Sequence, residues 1–185
     1  MPFMSSMNDT DGVPHAFKTF NTGTGKPLIE FHQVLMRSED SPLTVAEREL
    51  IAGYVSGVNA CKYCHGAHTR AAEFFGVPEG LIVSLLDNLE HADIDEKMKP
   101  LLAYTRKLTE SPAKMTQSDA DAVFAAGWDE RALYDAIQVC ALFNFMNRFV
   151  EGLGIDYLAP KPPVSEGEKP RAWNYTDLIE MFGIK

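Results

Sequence analysis

From about Asp129 to Val150 the chain carries apolar side chains on two adjoining sides of one helix-length segment. Leu133, Ile137, Cys140 and Phe143 fall on one side, and Leu142, Phe145, Met146 and Phe149 beside it. A helix apolar around most of its circumference is buried among other helices or seated at a subunit interface. The remaining segments offer partners of the same kind. Leu28-Ile29, Phe31-His32 and Val34-Leu35 space apolar groups at helical intervals. Thr44-Val45-Ala46-Glu47, following Pro42, matches a capping box, and Val45, Leu50, Ala52 and Val55 continue to a stop at Gly57. Asn59 reads as the N-cap of a third helix that reaches about Phe75 and ends at Gly76-Val77-Pro78. A short fourth holds Leu81, Val83, Leu85 and Leu86. Pro100 suits the first turn of a fifth, striped by Leu101, Leu102, Thr105 and Leu108. Ser118 opens a sixth, with Val123 and Phe124 on one side and Gly127 closing it.

Nothing reads as a strand, and no internal repeat is present. The expected fold class is all-α, a helical bundle over residues 27–158 with an arm at each end. Residues 1–26 are polar and Gly/Thr-rich, which predicts an N-terminal arm. Residues 159–185 predict a C-terminal arm: a Pro-rich stretch over 159–172, then a short docking helix from Trp173 to Phe182.

Composition removes several functional classes. With 185 residues, 45% apolar, the chain can bury roughly 70% of its unfolded surface, which excludes disorder throughout. A net charge of −9 opposes the phosphate backbone, so no nucleic-acid partner is expected. No apolar run approaches the ~18 residues of a membrane span. MPFMSSMNDTDG has neither the basic nor the apolar stretch of a secretory signal, and three cysteines do not make a disulfide scaffold. A reducing, cytoplasmic location follows as the expectation.

The chemistry concentrates in Asn59-Ala60-Cys61-Lys62-Tyr63-Cys64-His65-Gly66-Ala67-His68. At the start of a helix, Cys61, Cys64 and His68 stand at i, i+3 and i+7 and share one face. An i, i+3 pair lies roughly 5 Å apart at Cα, within disulfide reach. The amide-rich end of the helix favours a thiolate. His68, one turn beyond Cys64, can take or return the thiol proton. Upstream, Glu49 faces the cysteines if the two helices form a hairpin, and its carboxylate can orient His68 or relay a proton. Glu47 competes with it, but the capping box gives Glu47 a local role. Arg48 is expected to face solvent or pair with an acid.

Other readings of these residues stay open. Cys61, Cys64, His65 and His68 are four ligand-type residues, yet His65 is rotated about 100° from Cys64, and one helix face does not wrap four ligands tetrahedrally. No metal and no other cofactor is therefore expected. A lone GTG at residues 23–25 follows no strand and makes no dinucleotide fingerprint. Cys140 reads as a small core residue. Asn144, Asn147 and Arg148 read as hydrogen-bonding groups between helices, His15, His32 and His91 as surface, and Tyr63 and Trp173 as packing. A disulfide oxidoreductase or redox sensor acting on protein thiols, and a non-enzymatic scaffold with structural cysteines, are the rival functions.

The stretch RELIAGYVSGVNACKYCHGAHTRAAEFFGVPEG resembles the core of the alkylhydroperoxidase D (AhpD) family, within the carboxymuconolactone decarboxylase superfamily. The shared pattern is a Glu, eleven residues, then C-x-x-C-x-x-x-H, here Glu49, Cys61, Cys64 and His68. The likeness is strongest over residues 28–90 and extends loosely to LLAYTRKLTESP and FNFMNRFVEGLGI, which is similar to the peroxidase-related branch. The resemblance implies an all-helical subunit assembling into homo-oligomers, often trimers or hexamers. It implies an antioxidant peroxidase in which Cys64 attacks a hydroperoxide and Cys61 resolves it as a disulfide. His68 and Glu49 then relay protons, and an external dithiol, a thioredoxin-like or lipoyl protein, restores the thiols. Tyr63 stands where the family often has His, so an imidazole role there lapses. The decarboxylase branch lacks the cysteine pair. Helix-dipole reasoning alone favours Cys61 as the attacking thiol; the resemblance and the His68 neighbour favour Cys64.

Overall fold

The structure, a computed structural model, describes residues 1–156 and 174–185. Among these, nine α-helices and no strand are found: α1 Val13–Phe20, α2 Gly25–Arg37, α3 Val45–Val58, α4 Lys62–Phe74, α5 Leu81–Asp87, α6 Met98–Glu110, α7 Gln117–Ala125, α8 Glu130–Leu153 and α9 Asp177–Phe182. A 3₁₀ turn, Pro112–Lys114, separates α6 from α7. The all-α expectation is met. The predicted Pro-rich stretch 159–172 and Trp173 lie outside the described residues.

The chain divides into two compact units, Glu39–Phe149 and Met1–Ser38 with Val150–Lys185. The expected N-terminal arm, 1–26, and the described part of the C-terminal one, 174–185, fall within the second of these.

In the 39–149 unit the most enclosed helix is α3. Residues 48 to 56 are buried without a break, Arg48 and Glu49 among them. The capping box at its start is present: Thr44 Oγ1 accepts from the Glu47 amide at 3.2 Å, and the Glu47 carboxylate accepts from the Thr44 amide at 2.7 Å. Two orphan amides are thereby satisfied. α4, α5 and α6 pack around α3. Gly53 and Gly57 set its closest approaches. A Cβ on Gly57 would stand 2.4 Å from Leu86 Cδ1 and 3.1 Å from His65 Nδ1; on Gly53 it would meet Ile82 Cδ1 at 3.0 Å. One expectation is narrowed here: Arg48 is buried, which removes the solvent-facing alternative, because α3 is enclosed on every side. α8, expected to be buried or seated at a subunit interface, leaves Tyr134 and Phe145 about half exposed.

α8 is tied to this unit by polar contacts as well as by its apolar side. Ser41 Oγ donates to Asp135 at 2.6 Å, and the Cys140 thiol lies among Thr105 and Thr109 of α6. Trp128 donates to the Lys97 carbonyl at 2.8 Å while the Lys97 ammonium lies 4.4 Å from the Trp128 ring centre, fixing the start of α6. α7 begins at Thr116, whose amide and hydroxyl donate to Asp119, and Lys107 of α6 grips both oxygens of that carboxylate.

In the other unit α1 forms where the sequence predicts only an N-terminal arm, while α2 and α9 fall on segments that the sequence predicts to be helical. α1 opens on Gly12, whose amide donates to His15 Nδ1 at 3.1 Å, and it buries Ala16 and Phe17. α2 comes so close that a Cβ on Gly25 would lie 2.7 Å from Phe17 Cβ. α9 packs on α1 and α2. Phe182 lies edge-on to His15 at 4.9 Å, and the Tyr175 amide donates to Gln33 at 2.8 Å. His32, expected at the surface, is buried, with Nδ1 bonded to the Leu28 carbonyl. Its ring stands 5.5 Å from that of Tyr175, so the C-terminal segment supplies the cover that local sequence does not reveal.

Candidate active site

The α3–α4 connection is a Schellman turn. Asn59 is the C-cap of α3, and Ala60 adopts the left-handed conformation with φ 56°. The Ala60 amide donates to the Gly57 carbonyl at 2.9 Å and the Cys61 amide to the Ser56 carbonyl at 3.0 Å. Asn59 therefore ends α3 instead of starting α4, and Cys61 itself is the N-cap of α4, at φ −78° and ψ 96°. The reason for the difference is that Asn suits both ends of a helix, and the left-handed residue here is alanine rather than the usual glycine. Cys64 follows at the third helical position. In a first turn, the N-cap and N3 positions are those that a capping box joins, so the two cysteines are set for mutual contact.

Cys61 is wholly buried and Cys64 is 4% exposed. One turn beyond Cys64, His68 Nδ1 lies 2.6 Å from Glu49 Oε2. Glu49 is fully buried and the His68 side chain is 12% exposed. A carboxylate at this distance accepts the Nδ1 proton, which leaves Nε2 to take or give another. Phe143 of α8 closes on the ring edge-to-face, with centroids 4.3 Å apart. The two helices that carry the pair meet at Gly53 and Gly57, and His65 adds a further tie, its Nδ1 lying 2.9 Å from the Gly53 carbonyl. Glu49, Cys61, Cys64 and His68 thus all sit on one helical hairpin. Glu47 stays in its capping box and away from the site.

Cys140 is buried, and burial pushes its thiol pKa up; weaker hydrogen bonds from Thr109 and Asn144 pull the other way. It is the small core residue that the sequence predicts. Tyr54 is raised as well, chiefly by burial, with the Arg106 guanidinium lowering it in part. No group of three or more His, Cys, Asp or Glu side chains among the described residues is arranged to hold a metal ion. No described helix is long and apolar enough to cross a membrane.

Two features of the site were not foreseen. One is Phe143, which belongs to an evident apolar stripe but carries no sign of its aromatic contact with His68. The other is Asn59. Its Nδ2 donates to Asn144 Oδ1 at 3.1 Å and to Asn147 Oδ1 at 2.9 Å. The two asparagines one turn apart on an apolar helix were the available signal, and they do bond between helices as expected.

The fold and site together define an all-helical protein with a dithiol at the start of one helix and a buried Glu–His pair beside it. The Carboxymuconolactone decarboxylase family matches over residues 23–106. An uncharacterized peroxidase-related protein from Silicibacter sp. TM1040 superposes with a TM-score of 0.72 at 28% identity, over 79% of this chain and 75% of that one. A second uncharacterized peroxidase-related protein, an alkylhydroperoxidase AhpD core from Ralstonia eutropha JMP134, gives a TM-score of 0.70 at 23% identity, over 78% and 74%. A protein of unknown function from Agrobacterium tumefaciens, suggested to be the antioxidant defence protein AhpD, gives 0.63 at 17% identity, over 85% and 100%. No curated protein gives a significant match. The chain is thus similar to this family over residues 23–106, and its fold is shared with these peroxidase-related structures.

Proposed function

We propose that this protein is a thiol-dependent hydroperoxide reductase serving antioxidant defence. The observation that carries the reading is the Glu49–His68 pair at 2.6 Å, one helical turn beyond Cys64 in a helix capped by Cys61. His68 Nε2 accepts the Cys64 proton, and the thiolate attacks the outer oxygen of ROOH. The O–O bond breaks, Cys64 becomes a sulfenic acid, and RO⁻ leaves as ROH with the proton held by His68. Cys61 then displaces hydroxide from that sulfur, giving the disulfide and water. An external dithiol, thioredoxin-like or a lipoyl protein, returns both thiols by exchange and is itself oxidised. The peroxidase-related relatives support the substrate class, and no cofactor is needed for any step.

The proposal includes a cytoplasmic location, where such reductants are available, and a homo-oligomer of trimer or hexamer type. Tyr134 and Phe145 are 56% and 53% exposed on α8, and Phe145 stacks on Phe149 at 6.2 Å. Aromatic surface of this kind marks interfaces.

The deciding experiment mixes reduced protein with limiting hydroperoxide and counts thiols. One peroxide consumed for two thiols lost, with Cys61 and Cys64 joined, supports the reading. Turnover of protein disulfides without peroxide consumption would move the protein to the disulfide oxidoreductases, and no thiol loss at all would make the cysteines structural.

A further inference from the structure

We propose that Asn59 is a positioning residue for Cys61, acting through a polar clamp between the α3–α4 turn and α8. The inference rests on the dithiol reading of the site and adds to it a part played by α8.

The clamp is continuous. Asn59 gives both hydrogens of its amide nitrogen to α8, one to Asn144 and one to Asn147. Asn147 in turn donates to Ser56 Oγ at 3.0 Å, and the Ser56 carbonyl holds the Cys61 amide. Arg148 donates to Asn144 Oδ1 at 2.9 Å, so that oxygen serves two donors. Ser56 is fully buried and Asn147 is 2% exposed. The Ser56–Asn147 end of the network is therefore buried, while Asn59 and Asn144 are half-buried and Arg148 is exposed; a polar contact buried at one end in this way is costly to break there.

The turn needs holding. Ala60 sits in the left-handed region at φ 56°, where a Cβ-bearing residue is strained, and such strain persists only when surroundings over-determine it. The residues on either side of Ala60 are Asn59 and Cys61. Fixing the first from α8 restricts the second to the N-cap geometry that faces Cys64. Pre-organisation of two reacting groups raises their effective concentration. For a C-x-x-C pair, that quantity sets both the rate of disulfide closure and the equilibrium with an external thiol couple.

The test uses full-length protein and a glutathione buffer, in which the dithiol plus GSSG gives the intramolecular disulfide plus two GSH. This arm involves no peroxide. Asn59→Ala is expected to lower the equilibrium constant about tenfold, equivalent to about 30 mV for a two-electron couple. After one equivalent of hydrogen peroxide the same variant should hold a Cys64 sulfenic acid long enough for a dimedone probe to trap it. Ser41→Ala removes a different loop-to-α8 hydrogen bond of 2.6 Å and is expected to leave the constant where it is. A folded Asn59→Ala with the wild-type constant overturns the proposal, as does an equal shift in Ser41→Ala. Should Asn59→Ala fail to fold, Ser56→Ala removes the hydroxyl end of the clamp and keeps the carbonyl. It must then shift the constant the same way, by two- to threefold, and no shift overturns the proposal. Wild-type protein that ignores peroxide while the glutathione shift holds would sink the peroxidase reading alone.

Discussion

At the residue scale the site separates two thiols by what surrounds them. Cys64 has His68 one turn on, paired with Glu49, whereas Cys61 caps the helix and the imidazole at the same spacing from it, His65, has its Nδ1 engaged by the Gly53 carbonyl at 2.9 Å. Cys64→Ser is therefore expected to abolish peroxide reduction even in a single turnover. Cys61→Ser should consume one equivalent and stop at a trappable sulfenic acid. The reverse pattern in probe labelling would assign the attack to Cys61 and favour the helix-dipole argument. His68→Ala should slow the attack by ~10²–10⁴-fold, the usual worth of general acid–base help. A stopped-flow rate equal to wild type would remove the relay. Cys140 is as buried as Cys61 but has no cysteine within a turn of it, and burial raises its thiol pKa against the pull of Thr109 and Asn144. Iodoacetamide at pH 8 should leave it unmodified in native protein and reach it only in denaturant. Peptide mapping that finds Cys140 in the principal disulfide would contradict the assignment.

At the scale of elements, two contacts lend themselves to measurement. Lys107 of α6 and the Thr116 cap of α7 hold the Asp119 carboxyl below the usual carboxylate range. A lowered folded-state pKa contributes stability that is present above the unfolded value, near 3.9, and is lost as pH falls through the lowered one. Urea midpoints of wild type should fall across that acid window, and Asp119→Asn should flatten the fall. An unchanged acid limb would mean the contact has no share in it. In the α3–α4 turn, alanine in the left-handed region costs about 1–2 kcal/mol, against about 0.5–1 kcal/mol of extra unfolded-state entropy for glycine. Ala60→Gly is thus expected to raise stability by about 0.5–1 kcal/mol in urea titration; a loss would show that the turn is not strained.

These elements also show what the sequence made readable. The α3 start was plain because Thr44 and Glu47 satisfy each other within one turn. Glu49, Cys61, Cys64 and His68 were readable as a group because one hairpin holds them all. Asn59 was misplaced because its role depends on Ala60 and on amides of α8 far along the chain. α1 was missed for a related reason. VPHAFKTF is amphipathic but only eight residues long and follows a polar stretch, and its helix is held by Phe17 against Gly25 and by Phe182 beside His15. The enclosure of Arg48 and His32 is likewise a property of several helices together.

For the whole molecule, the apolar stripe on α8 carries the assembly prediction. Light scattering at micromolar concentration should give a multiple of the 20.5 kDa chain mass, and Phe145→Glu should shift the population toward the monomer. A monomer for wild type would remove the proposed assembly. The order in which the parts of the site are synthesised has a separate consequence. Glu49 and His68 lie 19 residues apart, so the acid–base pair and both cysteines can assemble as soon as α3 and α4 exist. Phe143 and the asparagines of α8 come much later. At about 5–20 residues per second, several seconds separate the synthesis of α4 from that of the α8 residues that touch the site. During biosynthesis, then, the His68 ring waits for Phe143 and the α3–α4 turn for its two asparagines, so the site is completed only when α8 emerges.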